Sequence, residues 1–205
     1  MKSPSEHEDI AALPPKGRGT VLTSVEIAAQ VARGQIEWPG ELRGDSLLLN
    51  LGSPIQPLIS LQPARVVDLG DQASIDALYE PPQHSWRSFN LAPGQMALCL
   101  SEFPLRLGGG LAGVMGTLSH LARLGLAVHV ASPWVMPGWN GYLTFELLNA
   151  GPAALRLHRG MPVGRLVIIR TDGAARPVFH HPQYGSNSQL GSRYADEFAS
   201  HAAWR

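Results

Sequence analysis

Residues Tyr142 to Asn149 read YLTFELLN. Side chains alternate with the two-residue period of a strand. Leu143, Phe145 and Leu147 point one way, and Tyr142, Thr144, Glu146 and Leu148 the other. Short apolar runs follow at Leu155-Arg156-Leu157 and Leu166-Val167-Ile168-Ile169, with turn signals at Gly138, Gly141, Gly151, Gly160 and Gly164. The chain carries 22 glycines and 17 prolines spread along its length, which calls for many short elements and tight turns. The expected fold is all-β, a sandwich, barrel or jelly roll with a few short helices.

Upstream, Thr23-Ser24-Val25-Glu26 places a hydroxyl cap and an acid at the start of a helix, with Gly34 as its stop. LLLNL (47–51) and ARVVDL (64–69) read as short strands, and residues 70–84 as a loop. SWRSFNL, the turn Ala92-Pro93-Gly94 and QMALCLSEF form a strand, turn and strand, with Cys99 a small buried residue. SHLARLGL (119–126) is a helical interruption: Leu118, Leu121, Leu124 and Leu126 supply packing, and Gly125 stands at a left-handed C-cap. Ser119 and Arg123, four apart, share one face of it. Residues 1–19 read as a flexible arm, 20–184 as one domain, and 185–205 as a polar tail.

Several function classes drop out. Sixteen basic and 16 acidic residues leave a formal net charge of zero, so the basic footprint for a nucleic acid polymer is missing. A small nucleotide needs only a local cluster of donors. There is no run of eighteen apolar residues for a membrane span, and MKSPSEHEDI has no apolar signal core, so a soluble cytoplasmic protein is expected. One cysteine permits neither an internal disulfide nor a cysteine zinc site. GGGLAG (108–113) fits G-x-G-x-x-G, but β-pattern follows it and no acid stands about twenty residues on, so it reads as an inter-strand turn. A G-x-x-x-x-G-K-[ST] loop is absent. His180-His181 lacks a third ligand at useful spacing, so no metal site is assigned.

Glu146 is the candidate that carries chemistry. Its face-mates are Tyr142, Thr144 and Leu148 rather than lysines or further acids, a setting that suits a proton shuttle.

The stretch GTLSHLARLGLAVHVASPWVMPGWNGYLTFELLNAGPAALRLHRGMPVGRL, with LAPGQMALCLSEF upstream and YGSNSQLGSRY downstream, resembles the dCTP deaminases of the dUTPase-like superfamily. The resemblance covers most of residues 21–194. It implies a distorted β-barrel or jelly roll, a homotrimer with active sites between subunits, and deamination of dCTP to dUTP and ammonia without a catalytic metal. Mg²⁺ would enter only with the nucleotide phosphates. By position, Glu146 matches the general acid/base, Ser119 a serine that holds the water and amino group, and Arg123 the arginine supporting them. Trp139 matches the aromatic beside the sugar, and Ser132 the place where a backbone carbonyl holds the water. Arg193-Tyr194 matches the lysine-tyrosine of the family's tail. This chain departs from the family at four positions: Leu118 replaces a phosphate arginine, His120 a phosphate serine, Met136 a sugar-contacting aspartate, and Arg165 a residue often glutamine. The family's Q-G-Q…P-x-x-S-R segment has no counterpart after Tyr194. These departures leave two other readings open: a nucleotide-binding or regulatory homologue of weak activity, and a deaminase of a modified cytosine nucleotide, with Leu118 and Met136 lining a more apolar pocket.

Overall fold

The computed structural model describes residues 20–59, 66–171 and 190–196. The arm at 1–19, His180-His181 and most of the tail lie outside the described residues.

The chain opens with β1 (Thr20–Val21) and the helix α1 (Ser24–Ala32). Thr23 and Glu26 form the expected capping box. Glu26 Oε2 accepts the Thr23 N–H at 3.0 Å, and Thr23 Oγ1 accepts the Glu26 N–H at 3.4 Å. Gly34, at φ 66°, ends the helical path. Ile27 is the helix's buried anchor. The Thr23 N–H in particular holds the Glu26 carboxyl below its usual range, helped by Arg170.

After β2 (Ile36–Glu37), the long strands β3 (Leu47–Pro57) and β5 (Met96–Leu107) form the middle of a curled sheet, with the short β4 (Ser88–Leu91) between them in sequence. Then come β6 (Leu111–Thr117), the one-turn helix α3 (Ser119–Ala122), β7 (Leu126–Ala127), β8 (Trp134–Val135), β9 (Asn140–Asn149), β10 (Leu155–His158) and β11 (Pro162–Arg170). The sheet order is β7-β9-β5-β3-β11-β6-β8, with β1 added on β11 and β2 on β5. β4 and β10 pair apart as a two-stranded sheet. The all-β expectation holds, and every neighbouring pair in both sheets is antiparallel. The core takes Leu143, Phe145 and Leu147 from β9, Leu49, Leu51 and Ile55 from β3, and Leu166 and Ile168 from β11. The first half of GGGLAG, Gly108 to Gly110, is the expected β5–β6 turn, where the Gly108 N–H donates to the Gln35 carbonyl at 2.7 Å, and the second half, Leu111 to Gly113, already belongs to β6. Among the described residues no helix is long and apolar enough to cross a membrane.

Four local expectations fail in whole or in part. Residues 66–69 form no strand; Val66 is 88% and Leu69 58% exposed, so this apolar run has no surface to bury against. Its first part, 64–65, lies outside the described residues. The supposed loop at 70–84 holds a helix, α2 (Gln72–Asp76), capped by Asp71 Oδ1 accepting the Ala73 N–H at 3.0 Å and anchored by buried Ile75. The leucines around SHLARLGL supply only part of the expected packing: Leu126 is core and Leu121 packs against it, but Leu118 is half-buried and Leu124 is 59% exposed, because a helix of four residues buries little. Gly141 and Gly164 lie inside β9 and β11 rather than in turns, Gly164 at an irregularity of the β3–β11 ladder.

Burial pushes the Cys99 thiol up to about 12. Iodoacetamide at pH 8 is expected to leave Cys99 unlabelled in the native protein and to label it fully in denaturant. Thr23→Ala should cost about 1 kcal/mol in urea unfolding. The Glu26 share of stability should be present above the ordinary carboxyl value of 4.5 and fade as pH falls through the lower folded value.

Candidate active site

The alternation of β9 brings Glu146 to the face opposite Phe145, beside Leu98 of β5. Two hydrogen bonds tie it to the segment after β7. The Glu146 N–H donates to the Val128 carbonyl at 3.0 Å, and Oε2 accepts the Val130 N–H at 2.8 Å. That segment is fixed in turn by Thr117, whose Oγ1 accepts the Val128 N–H at 3.0 Å. Oε1 has no hydrogen-bond partner among the described residues and remains available as an acceptor.

A cavity of about 430 Å³ opens beside Glu146. Leu98, Met115, Val135 and Leu143 give it apolar walls, and Ser132, Trp139, Arg193 and Tyr194 also line it. Trp139 is set by a turn: its N–H donates to the Met136 carbonyl at 3.2 Å across Gly138, which sits at φ 79°, and its Nε1–H donates to the Gly141 carbonyl at 3.1 Å. An aromatic plane, apolar walls and one carboxylate suit a planar, polar-edged ligand such as a base.

Of the residues singled out from the sequence, the structure brings Glu146, Ser132, Trp139, Arg193 and Tyr194 together. Five others are not on this cavity's wall. Ser119, His120 and Arg123 are exposed on or just after α3, Arg165 projects from β11 between β3 and β6, and Met136 contributes its backbone to the Trp139 turn. Leu118 is also absent from the wall, so the apolar lining comes from other residues than Leu118 and Met136.

The model of dCTP deaminase-like proteins matches residues 21–171. The chain belongs to the dCTP deaminase-like family. It is 29% identical over 161 residues to a dCTP deaminase, dUMP-forming, of Methanosphaerula palustris, covering 77% of this chain and 84% of that one. It is 37% identical over 101 residues to a protein of the same name from Acidothermus cellulolyticus, with 49% of this chain and 53% of that one covered. A dCTP deaminase of Pseudoalteromonas atlantica is 39% identical over 112 residues, 54% of this chain and 52% of that one. The match thus spans about half the length of the last two relatives. A crystal structure of 2′-deoxycytidine 5′-triphosphate deaminase from Agrobacterium tumefaciens shares the fold, with a TM-score of 0.55 and 19% identity over 75% of this chain and 49% of that one.

Within this dCTP deaminase-like chain, sequence reasoning missed Tyr79, Met115, Trp134 and Thr144 as cavity residues. Tyr79 lies just past α2, in the supposed loop. It is half-buried; burial above all pushes its phenol up, and the charges of Asp76 and Glu146 add to this while a Ser192 backbone contact opposes it. A stronger signal for Glu146 was available in the acid distribution, since it is the only Asp or Glu between Glu102 and Asp172.

Gly125 fixes α3 to the end of β9. It sits at φ 92°, its carbonyl accepts the Ala150 N–H at 2.8 Å, and an added Cβ would collide with the Gly151 backbone. Gly125→Ala is expected to cost more than about 1 kcal/mol, since the left-handed conformation alone costs roughly that much. A fall in melting temperature and a loss of protection in amides 119–124 by hydrogen exchange would register it.

Proposed function

We propose that this protein deaminates the cytosine of a deoxynucleotide, with dCTP the leading substrate and dUTP and ammonia the products. Glu146 carries this reading: a carboxylate oriented by the Val130 N–H at 2.8 Å, in a cavity that also holds Trp139 and Ser132. Hydrolysis at C4 needs a base that takes a proton from water and an acid that delivers it to N3. A second transfer moves the proton of the new C4 hydroxyl to the departing amine, so that ammonia leaves and the C4 carbonyl forms. One carboxylate can perform these transfers in turn. In this reading Trp139 lies against the sugar, the Ser132 carbonyl holds the water, and Arg193 and Tyr194 meet the phosphates. Mg²⁺ would come as part of the substrate; among the described residues no group of three or more His, Cys, Asp or Glu could hold a resident ion.

Ser119 and Arg123 complete the site from a neighbouring copy of a homotrimer. Their exposure on α3, away from the Glu146 cavity of their own chain, supports this. His120 and Arg165 would be offered to the neighbour's nucleotide in the same way.

Relatives carry both names, dCTP deaminase and dCTP deaminase, dUMP-forming. The acid distribution favours the first outcome here. Cleaving a phosphoanhydride calls for a second water and a base for it; residues 103–171 supply no carboxylate besides Glu146, and the acids beside Arg193, Asp76 and Asp196, are paired with its guanidinium. The dUTP formed would then need a separate pyrophosphohydrolase reaction to become a monophosphate. A second reading, nucleotide binding without turnover, is favoured by Leu118, which caps α3 with no side-chain hydrogen bond where the resemblance places a phosphate arginine.

Incubation with dCTP, dCMP and deoxycytidine, followed by ammonia release and anion-exchange separation of the products, should show uracil nucleotide with its phosphates intact. Binding by calorimetry without turnover would establish the second reading instead. Glu146→Gln should remove activity and leave the fold and assembly unchanged. Co-expressed Glu146→Gln and Arg123→Ala chains, each inactive alone, should recover activity in mixed assemblies; no recovery would place the whole site within one chain.

A further inference from the structure

The far side of the Glu146 cavity is formed by the C-terminal described segment. Residues 190–193 line that cavity and also a second one of about 590 Å³, walled by Pro54, Pro82, His84 and Glu80. Tyr79 lines both as well, so Tyr79 and this segment together form the partition between them.

We propose that Gln72 and Tyr79 form a seat that holds residues 190–194 against the Glu146 cavity, as positioning residues for Arg193 and Tyr194, and that Asp76 is only the exchangeable partner Arg193 gives up to an anion. The inference rests on the deaminase reading for its substrate, though not for its geometry. Gln72 Nε2 donates to the Ser192 carbonyl at 2.7 Å and to Asp76 Oδ1 at 2.8 Å. Asp76 Oδ2 faces Arg193 Nη1 at 3.8 Å. Gly191, at φ 99°, lies beside the Tyr79 ring, which a Cβ added there would meet at an ordinary contact distance of 3.9 Å. The seat itself is firm. Ile75 is 2% exposed and anchors α2. Downstream, the Ile59 N–H donates to the Leu78 carbonyl at 2.8 Å and the Glu80 N–H to the Pro57 carbonyl at 3.0 Å, stitching this segment to the end of β3. A platform fixed before the ligand arrives spares the ligand the entropy of ordering it.

The chemistry of the contacts divides the task. Arg193 is bracketed by Asp76 at 3.8 Å and Asp196 at 3.3 Å, and all three side chains are about half exposed. Such exposed pairs are weak and exchangeable. A phosphate, which accepts two parallel guanidinium hydrogen bonds, outcompetes them. The Gln72–Ser192 bond is neutral and engages the backbone, so it persists while Arg193 changes partner. Gln72 therefore holds the segment, and Asp76 holds the arginine until an anion takes it.

The experiment uses the full chain. Hydrogen exchange without ligand is compared for wild type, Gln72→Ala and Asp76→Asn, and steady-state kinetics on dCTP follow. Gln72→Ala should speed exchange of amides 191–194 about tenfold, with β5 and β9 unchanged. Its KM should rise roughly fivefold, as for loss of one hydrogen bond, with kcat within about twofold. Asp76→Asn, which removes a competitor for Arg193, should leave KM no higher than wild type. Unchanged exchange in Gln72→Ala overturns the seat, and so does faster exchange with an unchanged KM. If the wild-type protein deaminates no cytosine nucleotide, the deaminase reading fails; the exchange data, with a calorimetric Kd for dCTP in place of KM, still decide the seat.

Discussion

The structure depends on a carboxylate held in the middle of a strand whose other face is core. Phe145 and Leu147, on either side of Glu146, are fully buried, and burying such side chains contributes about 1.5–3 kcal/mol each. A single hydrogen bond contributes about 1 kcal/mol net. Apolar burial therefore decides the register of β9, and the Val130 N–H decides only how the carboxylate is turned. A slip of one residue would send Glu146 into the core and three large apolar side chains out, so the acid cannot be displaced without losing the sheet.

The rest of the site is hung from β9 by backbone contacts. Asn149, at the end of the strand and fully buried, donates to the Leu91 and Ala153 carbonyls at 2.9 and 2.8 Å and accepts the Gly151 N–H at 2.9 Å. The turn it fixes is the surface on which Gly125 rests. α3 is thus held through Gly125 and by Leu121, which packs against the core, while Ser119, His120 and Ala122 stay exposed. From Gly125 the chain runs through β7 to Val128 and Val130, which grip Glu146. One short path thus fixes both the acid and the helix bearing Ser119 and Arg123. In an assembly, a site whose two halves sit on such a path in each copy would have its geometry set by the subunit contact alone.

What was legible in the sequence was what local physics decides. The alternation of YLTFELLN, the Thr23–Glu26 cap and the turn that opens GGGLAG each need only neighbours within a few residues, and each is found as read. What was not legible depends on distant partners. Val66 and Leu69 have the composition of a strand but no edge to join, and α2 is too short for periodicity, with Ile75 its one anchor. SHLARLGL carries helical spacing, yet four residues of helix bury little. The site shows the same division. Glu146 stands out from its strand neighbours, whereas Trp139, Ser132, Arg193 and Tyr194 come only through the family resemblance. Tyr79 is invisible, because only tertiary contact between the segment after α2 and residues 190–194 gives it a role.

The distribution of acids ties fold to chemistry. Between Glu102 and Asp172 the chain places one carboxylate, and it faces the cavity. A second acid on the same walls would repel it and disfavour its charged form. The acids near the site instead stand with the arginine: Asp76 on α2 and Asp196 beyond Tyr194. Tyr79 stands between the two groups, its phenol pushed up chiefly by burial and further by Asp76 and Glu146, so it stays neutral as a divider. In the proposed reaction the acid that moves protons and the acids that pair with the arginine would thus be separate groups, Glu146 on β9 and Asp76 and Asp196 beside Arg193.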